Sequence, residues 1–222
     1  MRAIAVVSGG KDSIYAFYLM LQQGFEISKW ITFVPEMKES YMFHSINTEF
    51  VSFQAKLSGV EHEKIFVSGQ KEEEIDEMLH YLKALKEREC FRALVCGAVR
   101  SEYQKERIER ICEELGIPCY APLWRKNGER LLREMLEQGF EFVVTYGGEE
   151  FEKWVGRKIS KENTGEFIDF LSTIGADVCG EGGEYETFVV KTPFWKKEIK
   201  VNGRTVLQEN ALKFIIRKIE VI

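Results

Sequence analysis

AIAVV-SGGKDS-IYAFYLML, residues 3–21, places a glycine turn between an apolar run and a run with helical spacing. The first run predicts a buried strand, and apolar residues three and four positions apart in the second predict a helix. Glycine lets the backbone approach an anion closely, and the amides and dipole of a helix start attract negative charge. The turn therefore predicts an anion site, to which a lysine adds charge and two serines add hydroxyl donors. Its residues are Ser8, Gly9, Gly10, Lys11, Asp12 and Ser13.

This turn is not a Walker A loop, because that pattern requires G-x-x-x-x-G-K-[ST] and Lys11 is followed by Asp12. A plain glycine turn capped by serine and aspartate is the alternative. The hexapeptide Ser8–Ser13, directly after an N-terminal strand, resembles the phosphate loop of the ATP pyrophosphatases. These enzymes cut ATP between its α and β phosphates. The resemblance does not identify the substrate.

Length and composition indicate one large domain or two small ones. The chain has 222 residues, of which 45% are apolar and four are proline, which permits a real core and argues against disorder. The formal net charge of −5 disfavours extended nucleic-acid binding, which needs a basic face. No apolar run reaches the ~18 residues of a membrane span, and the strand after Met1 leaves no room for a signal peptide. We therefore expect a cytoplasmic protein.

Five scattered cysteines fit a reducing compartment. No two of them form a C-x-x-C pair, so neither a zinc site nor a redox motif is indicated. We expect them to act as small core residues. They are Cys90, Cys96, Cys112, Cys119 and Cys179.

Roughly the first 120 residues predict an α/β fold with a parallel sheet. Runs typical of strands alternate there with helical patterns, an arrangement that requires right-handed crossovers. Ligands of such open sheets bind at the carboxyl ends of the strands. The glycine turn follows the first predicted strand and Gly97 follows the fourth, so both lie at that edge. We predict a Rossmann-like nucleotide-binding domain over residues 1–124.

A second, smaller α/β domain with antiparallel strands is predicted over residues 125–222. The composition of Pro122–Gly128 is that of a boundary, and two helical patterns follow it. The tail has two strand-like runs, 198–201 and 211–222, joined through Asn202-Gly203. Asn-Gly is a strong signal for a tight turn between antiparallel strands.

The segment EGGEYET, residues 181–187, brings three carboxylates and two glycines together ahead of an apolar strand. Carboxylates in such a loop can bind magnesium, hold an amine or ammonium ion, or act as a base. A solvent-facing turn with ordinary acidic residues is the alternative. The candidate residues are Glu181, Gly182, Gly183, Glu184, Tyr185, Glu186 and Thr187.

Several segments, in one order, resemble the diphthine–ammonia ligase family, a branch of the ATP pyrophosphatases. The segment Gly180–Thr187 ahead of Phe188 is the most specific of them, and together they span nearly the whole chain. The chain is similar to the compact, archaeal-type form of this family. The other segments are Ser8–Ser13, SYMFH at 40–44 with Asn47, GAVRSEYQ at 97–104, PLW at 122–124 and LLREM at 131–135.

The resemblance implies a fold, an activity and its reactants. The fold is that of the adenine nucleotide alpha hydrolases, with an ATP-binding PP-loop domain over 1–124 and a substrate-binding domain over 125–222. Members use ATP and ammonium to convert the carboxylate of diphthine, a modified histidine of elongation factor 2, into the amide diphthamide. A carboxylate is a poor electrophile, so it first becomes an acyl-adenylate with loss of pyrophosphate, and ammonia then displaces AMP. Magnesium is expected to accompany ATP.

On the ATP side, the resemblance implies that Ser8–Ser13 holds the departing pyrophosphate. Lys11 would neutralise charge in the transition state. Asp12 would either cap the helix or reach magnesium. Gly97 would leave room for ribose or adenine, and Tyr103 would contact nucleotide or substrate.

On the acceptor side, the resemblance implies that Glu181–Thr187 binds ammonium and diphthine. A carboxylate cluster suits a cationic trimethylammonium group and can deprotonate ammonium. Glu184 and Glu186, with Lys11, are the predicted catalytic residues. His44 is a further candidate for substrate binding, with a hydrogen-bonded loop histidine as the alternative.

Two other functions stay open at this point. One is an ATP pyrophosphatase that modifies tRNA, although such enzymes tend to carry catalytic cysteines or basic RNA-binding regions. The other is a non-catalytic ATP sensor. The predicted partners are ammonium and diphthine-bearing elongation factor 2, with no membrane and no extended nucleic-acid contact; a homo-oligomer is left open.

Overall fold

The computed structural model describes residues 1–36 and 46–222. Contacts divide the chain into two compact units. The first unit contains Met1–Ser8 and Asp12–Trp124, and the second contains Gly9–Lys11 and Arg125–Ile222. The sequence did not predict that Gly9–Lys11 would group with the C-terminal half.

A parallel sheet forms the centre of the first unit, with five strands in the described residues. The strands are β1 (Arg2–Val6), β2 (Glu26–Pro35), β3 (Glu61–Val67), β4 (Leu94–Val95) and β5 (Cys119–Tyr120). The helices are α1 (Lys11–Gln22), α2 (Val51–Ser58), α3 (Glu73–Arg88) and α4 (Glu102–Leu115), with a 3₁₀ turn at Thr48–Phe50. The strand order is β3-β2-β1-β4-β5, and every pair is parallel.

The central position of β1 follows from its apolar residues. Ala3, Ile4 and Ala5 are at most 1% exposed, as expected for a strand covered on both faces. Ile4 and Ala5 pair with Leu94 and Val95 of β4, so the carboxyl ends of these two strands are neighbours. The predicted parallel α/β fold is confirmed.

An antiparallel sheet forms the centre of the second unit. Its strands are β6 (Glu141–Gly148), β7 (Lys158–Ile159), β8 (Tyr185–Lys191), β9 (Ile199–Gln208) and β10 (Ala211–Val221). The helices are α5 (Gly128–Glu137) and α6 (Thr164–Ile174), with 3₁₀ turns at Glu149–Phe151 and Lys161–Asn163. The strand order is β7-β6-β10-β9, and β8 also pairs with β6. The predicted α/β unit with antiparallel strands is confirmed.

The predicted turn at Asn202-Gly203 is wrong. β9 runs through both residues, and the chain reverses at Glu209–Asn210, where φ is +54° and +60°. Positive φ at both central residues is typical of two-residue hairpin turns. A Cβ added to Gly203 would lie 2.4 Å from the carbonyl oxygen of Ile215. This glycine therefore permits a close backbone approach between β9 and β10 rather than a turn.

All five cysteines are free thiols. Cys96, Cys112 and Cys179 are buried, Cys119 is half-buried and Cys90 is exposed. The Sγ atoms of Cys96 and Cys119 lie 4.0 Å apart. A hydrogen bond with Cys112, together with burial, raises the pKa of Cys119 to about 12. In the described part of the chain, no helix combines the length and apolarity needed to cross a bilayer.

Candidate functional site

Ser8 and Ser13 close the glycine turn within the first unit. The amide of Ser8 donates to Oγ of Ser13 over 3.3 Å, and the two Oγ atoms are also 3.3 Å apart. Gly9 has a φ of +88°, which favours glycine over any residue with a Cβ. The two hydroxyls predicted to face a phosphate therefore also hold the turn in shape.

Gly97 touches the start of α1. A Cβ at this position would lie 2.7 Å from the N and Cα atoms of Ser13, so no side chain fits there. The glycine thus has a packing role that the sequence did not predict. Its contact with ribose or adenine stays a prediction.

Tyr103 lies on α4 beneath a guanidinium group. The Cζ atom of Arg107 is 3.3 Å from the centre of the tyrosine ring, and Nζ of Lys71 is 5.7 Å from it. Burial raises the pKa of Tyr103, so its hydroxyl stays protonated at neutral pH. The predicted contact of Tyr103 with nucleotide or substrate stays a prediction.

Lys11 is buried within the second unit, against the segment that precedes β8. The residue is 4% exposed. Its Nζ donates to the carbonyl oxygen of Cys179 over 2.5 Å and lies 4.9 Å from the centre of the Tyr185 ring. Hydrogen bonding and cation–π attraction hold the ammonium group there. The two sequence motifs, predicted from separate arguments, therefore meet through Lys11.

Two hydrogen bonds fix the glycine turn to β8 itself. The amide of Lys11 donates to Oγ1 of Thr187 over 3.0 Å, and the amide of Val189 donates to the carbonyl oxygen of Gly9 over 3.0 Å. The Lys11 amide, which the sequence predicted to face an anion, therefore donates to a threonine hydroxyl. Thr187, predicted to bind substrate, is in contact with the glycine turn.

The loop before β8 is braced by two carboxylates. Oε1 of Glu184 accepts from the amide of Asp177 over 3.0 Å, and Oε2 accepts from the amide of Gly182 over 2.9 Å. Oδ1 of Asp177 accepts from the amide of Cys179 over 2.8 Å. Glu184 therefore has a structural task, and its predicted catalytic role stays a prediction.

The glycines of this loop are needed for its shape. Gly180 and Gly183 have φ values of +75° and +78°, where a Cβ is strained. A Cβ on Gly182 would lie 2.6 Å from Oε1 of Glu184. The substrate-binding role predicted for Gly182 and Gly183 stays a prediction, and the shape of the loop alone accounts for glycine at positions 180 and 183.

Glu181 and Glu186 are the remaining carboxylates of EGGEYET. Both are half-buried, and Glu186 lies on β8 opposite Tyr146 of β6. His44, the other predicted substrate-binding residue, lies outside the described residues. The roles of all three stay predictions.

The fit of a magnesium ion depends on which oxygen donors the described residues bring together. In residues 1–36 and 46–222, no three His, Cys, Asp or Glu side chains are grouped as a metal site. Asp12, the predicted magnesium ligand, is a single carboxylate beside the turn. Such a donor fits magnesium that is shared with phosphate oxygens, which is how proteins usually bind this ion with nucleotides.

Family models match both halves of the chain. The model described as "Diphthamide synthase N-terminal domain" matches residues 1–119, and "Diphthamide synthase C-terminal domain" matches residues 127–220. The chain belongs to the diphthamide synthase family. The family assignment made from the sequence motifs is thereby confirmed.

Curated relatives in this family carry one name, Diphthine–ammonia ligase. The Rattus norvegicus protein is 30% identical over 96% of this chain and 88% of its own length. The Homo sapiens protein is 29% identical with the same coverage. The Saccharomyces cerevisiae protein is 25% identical over 88% of this chain, which spans 34% of that longer relative.

A solved structure is also similar to this diphthamide synthase family chain. It is described as a predicted subunit of tRNA methyltransferase from Methanocaldococcus jannaschii. The TM-score is 0.48 at 18% identity, covering 86% of this chain and 98% of that one. A likeness at this level does not bear on fold or function.

Sequence reasoning missed three residues of the site in this family member. Asp177 braces the loop, while Cys179 and Val189 contact the glycine turn through backbone atoms. Backbone contacts leave no mark on residue type, so no sequence signal could have revealed the last two. The position of Asp177 before a glycine-rich loop is typical of a turn-forming aspartate, and this signal was available.

Proposed function

We propose that this protein is a diphthine–ammonia ligase, which uses ATP and ammonium to amidate the diphthine carboxylate of elongation factor 2. One observation carries the proposal. Both domain models of the diphthamide synthase family match in order over nearly the whole chain, at full-length similarity to relatives named for this activity. The cytoplasm is the proposed location, because the protein substrate is a translation factor.

The proposed reaction has two steps. A carboxylate oxygen of diphthine attacks the α phosphorus of ATP, the α–β bridging bond breaks, and pyrophosphate leaves with that electron pair. Ammonium loses a proton, the resulting ammonia attacks the acyl carbon, and AMP leaves as the carbon–oxygen bond breaks. A second proton is lost from the nitrogen as the neutral amide forms.

The residues of the glycine turn fit a triphosphate. Gly9 permits the left-handed turn, α1 begins at once after it, and the two serine hydroxyls lie together. Amides and the dipole at such a helix start stabilise negative charge, and Lys11 supplies a cation. Magnesium bound with ATP would add charge neutralisation at the phosphates, with Asp12 as its protein ligand.

Two carboxylates are proposed to act on ammonium and diphthine. Glu181 and Glu186 are half-buried in or beside the braced loop. A carboxylate in this setting can hold ammonium, accept its proton and attract the quaternary ammonium of diphthine. Glu184 is occupied by two backbone amides, so Glu186 is the preferred base.

The test combines the purified protein with ATP, magnesium, ammonium and diphthine-bearing elongation factor 2. We expect AMP to form, and the modified peptide to show the mass change of a hydroxyl replaced by an amino group. Omitting ammonium should abolish the mass change. A matched sample with elongation factor 2 that lacks diphthine should give neither product.

Each other outcome points to a different function. AMP without amidation would reject the ligase and direct the search to other acceptors, tRNA first. Bound ATP with neither AMP nor amidation would favour the sensor.

A further inference from the structure

The glycine turn is tied to the start of β8 by both backbone and side chain. Thr187 accepts from the amide of Lys11, and Val189 donates to the carbonyl of Gly9. The ammonium of Lys11 lies over the ring of Tyr185. These contacts hold both the turn and the Lys11 side chain against β8. A substitution in β8 should therefore displace both.

The Tyr185 ring is itself held in place. It stacks on Phe151 with centres 5.7 Å apart and an angle of 29°, and meets Phe167 edge-on at 5.4 Å. Its hydroxyl donates to the carbonyl oxygen of Val178 over 2.6 Å, and the residue is 3% exposed. A ring packed on several sides offers Lys11 a rigid surface rather than an adaptable one.

We infer that Thr187 and Tyr185 are positioning residues for the glycine turn, and that neither binds diphthine or ammonium. Thr187 sets the backbone of Gly9–Lys11, and Tyr185 sets the ammonium of Lys11. The inference deepens the proposed function and rests on it for the identity of the nucleotide. It also reassigns two of the residues that the sequence placed in the acceptor site.

The physical argument for Thr187 is the cost of losing the hydrogen bond that its Oγ1 accepts from the Lys11 amide. Valine has the shape of threonine but cannot accept a hydrogen bond, so Thr187→Val removes the Oγ1 atom that accepts from the Lys11 amide. Losing this hydrogen bond destabilises the conformation that contains it. The turn would then populate other conformations, and ATP would bind to a smaller fraction of the protein.

The chain offers a matched control at Thr192. This residue is 3% exposed, and its Oγ1 accepts from the amide of Trp195 over 3.2 Å. Thr192→Val therefore removes a threonine Oγ1 acceptor in the same unit without touching the glycine turn, while the Trp195 amide keeps the carbonyl oxygen of Thr192 at 3.4 Å. Thermal unfolding of both valine variants measures the general cost of the substitution.

The experiment measures ATP–magnesium binding by equilibrium dialysis, without acceptor or ammonium. We expect Thr187→Val to raise the Kd for ATP about tenfold, as for loss of one hydrogen bond in a binding conformation. Thr187→Ser, which keeps the hydroxyl, should restore binding to near the original value. Thr192→Val should leave the Kd unchanged.

A second pair of variants tests Tyr185. Tyr185→Phe keeps the ring under Lys11 and should bind ATP as the original protein does. Tyr185→Leu removes the ring and should raise the Kd severalfold, because the ammonium loses its cation–π contact.

Several results would overturn the inference. One is a Kd for ATP that is the same for Thr187→Val as for Thr192→Val. Another is an unchanged Kd for ATP together with a raised KM for the diphthine-bearing acceptor, which would return Thr187 to the acceptor site. Absence of ATP binding by the original protein would overturn it as well. Because binding is measured without acceptor, a failed amidation assay rejects the proposed function and leaves this test intact.

Discussion

Glu184 and Glu186 lie two positions apart at the start of β8, and the structure uses them differently. Glu184 accepts hydrogen bonds from two backbone amides of its own loop. Glu186 lies on the strand, opposite Tyr146. Single substitutions should therefore separate stability from chemistry.

We expect Glu186→Gln to lower the amidation rate by about 10²-fold or more, the usual effect of losing a general base, with no change in ATP affinity. Glu184→Gln should instead lower the free energy of unfolding by about 1–3 kcal/mol, because its amide nitrogen faces a backbone donor. Amidation kinetics and denaturant unfolding of both variants check this. Equal losses of activity without a loss of stability would contradict the division of roles.

At this scale the sequence predicted two motifs that the structure brings together, but not the partners of their side chains. EGGEYET and SGGKDS were both singled out, and the structure brings them into contact through Lys11. The acceptor of Lys11 is a carbonyl group, and the donors to Glu184 are amides. Residue types do not encode such partners, so the split between Glu184 and Glu186 could not be predicted.

At the scale of elements, the β9–β10 hairpin depends on one glycine inside a strand. Gly203 allows the two backbones to approach so closely that a Cβ would overlap the Ile215 carbonyl. Gly203→Ala should lower the free energy of unfolding by about 1–3 kcal/mol through overpacking.

Gly165→Ala is the matched control for this prediction. Gly165 lies near the start of α6, with no atom within 4 Å of an added Cβ. Alanine is the better helix former by up to about 1 kcal/mol, so this variant should be as stable or more stable. Denaturant unfolding compares the two, and equal effects would contradict the role given to Gly203.

Local sequence patterns predicted most helices and strands. They failed where glycine has two possible roles, in a turn or in a close approach of two strands. Ser101 caps α4 by accepting from the amide of Gln104 over 3.3 Å, in line with the preference for serine at helix starts. Asn202-Gly203 was read as a turn because of its residue types, whereas Glu209–Asn210 forms it. A glycine needed for close approach and a glycine needed for a turn look alike in a sequence.

At the scale of the whole molecule, the pH dependence of folding in acid should originate in Glu63, a carboxylate bonded to a buried lysine of the first unit. Lys29 lies on β2 with its side chain 4% exposed, and it bonds to Glu63 and Glu89. Burial alone would lower the pKa of Lys29, yet the hydrogen bonds and charges of these carboxylates raise it overall. Hydrogen bonds from Lys29 and then Tyr81 lower the pKa of Glu63.

The sign of the effect follows from linkage. A carboxyl whose pKa is lower in the folded state stabilises the fold above its unfolded pKa and loses that contribution as pH falls. Stability should therefore decrease below about pH 4. Glu63→Gln should flatten this decrease in a pH series of denaturant unfolding.

Glu61→Gln is the control for the acid series. The carboxylate of Glu61 is 3.5 Å from Nζ of Lys29 but 78% exposed, and exposed pairs contribute little. Glu61→Gln should retain the original dependence of stability on pH. The same dependence in Glu63→Gln and Glu61→Gln would show that Glu63 does not cause the decrease in acid.

The alternation of strands and helices was sufficient to predict the parallel sheet, because each βαβ crossover admits one handedness. The grouping of Gly9–Lys11 with the second unit was not predictable, because it rests on contacts between residues more than a hundred positions apart.

The placement of the five thiols gives the molecule a single convenient attachment point. Cys90 is exposed just beyond α3, while the other four are buried or half-buried. The thiolate is the reactive form, and the pKa of Cys119 is raised to about 12. A maleimide dye or spin label would therefore attach at Cys90 without mutagenesis, in the connection between α3 and β4, which carries none of the candidate site residues.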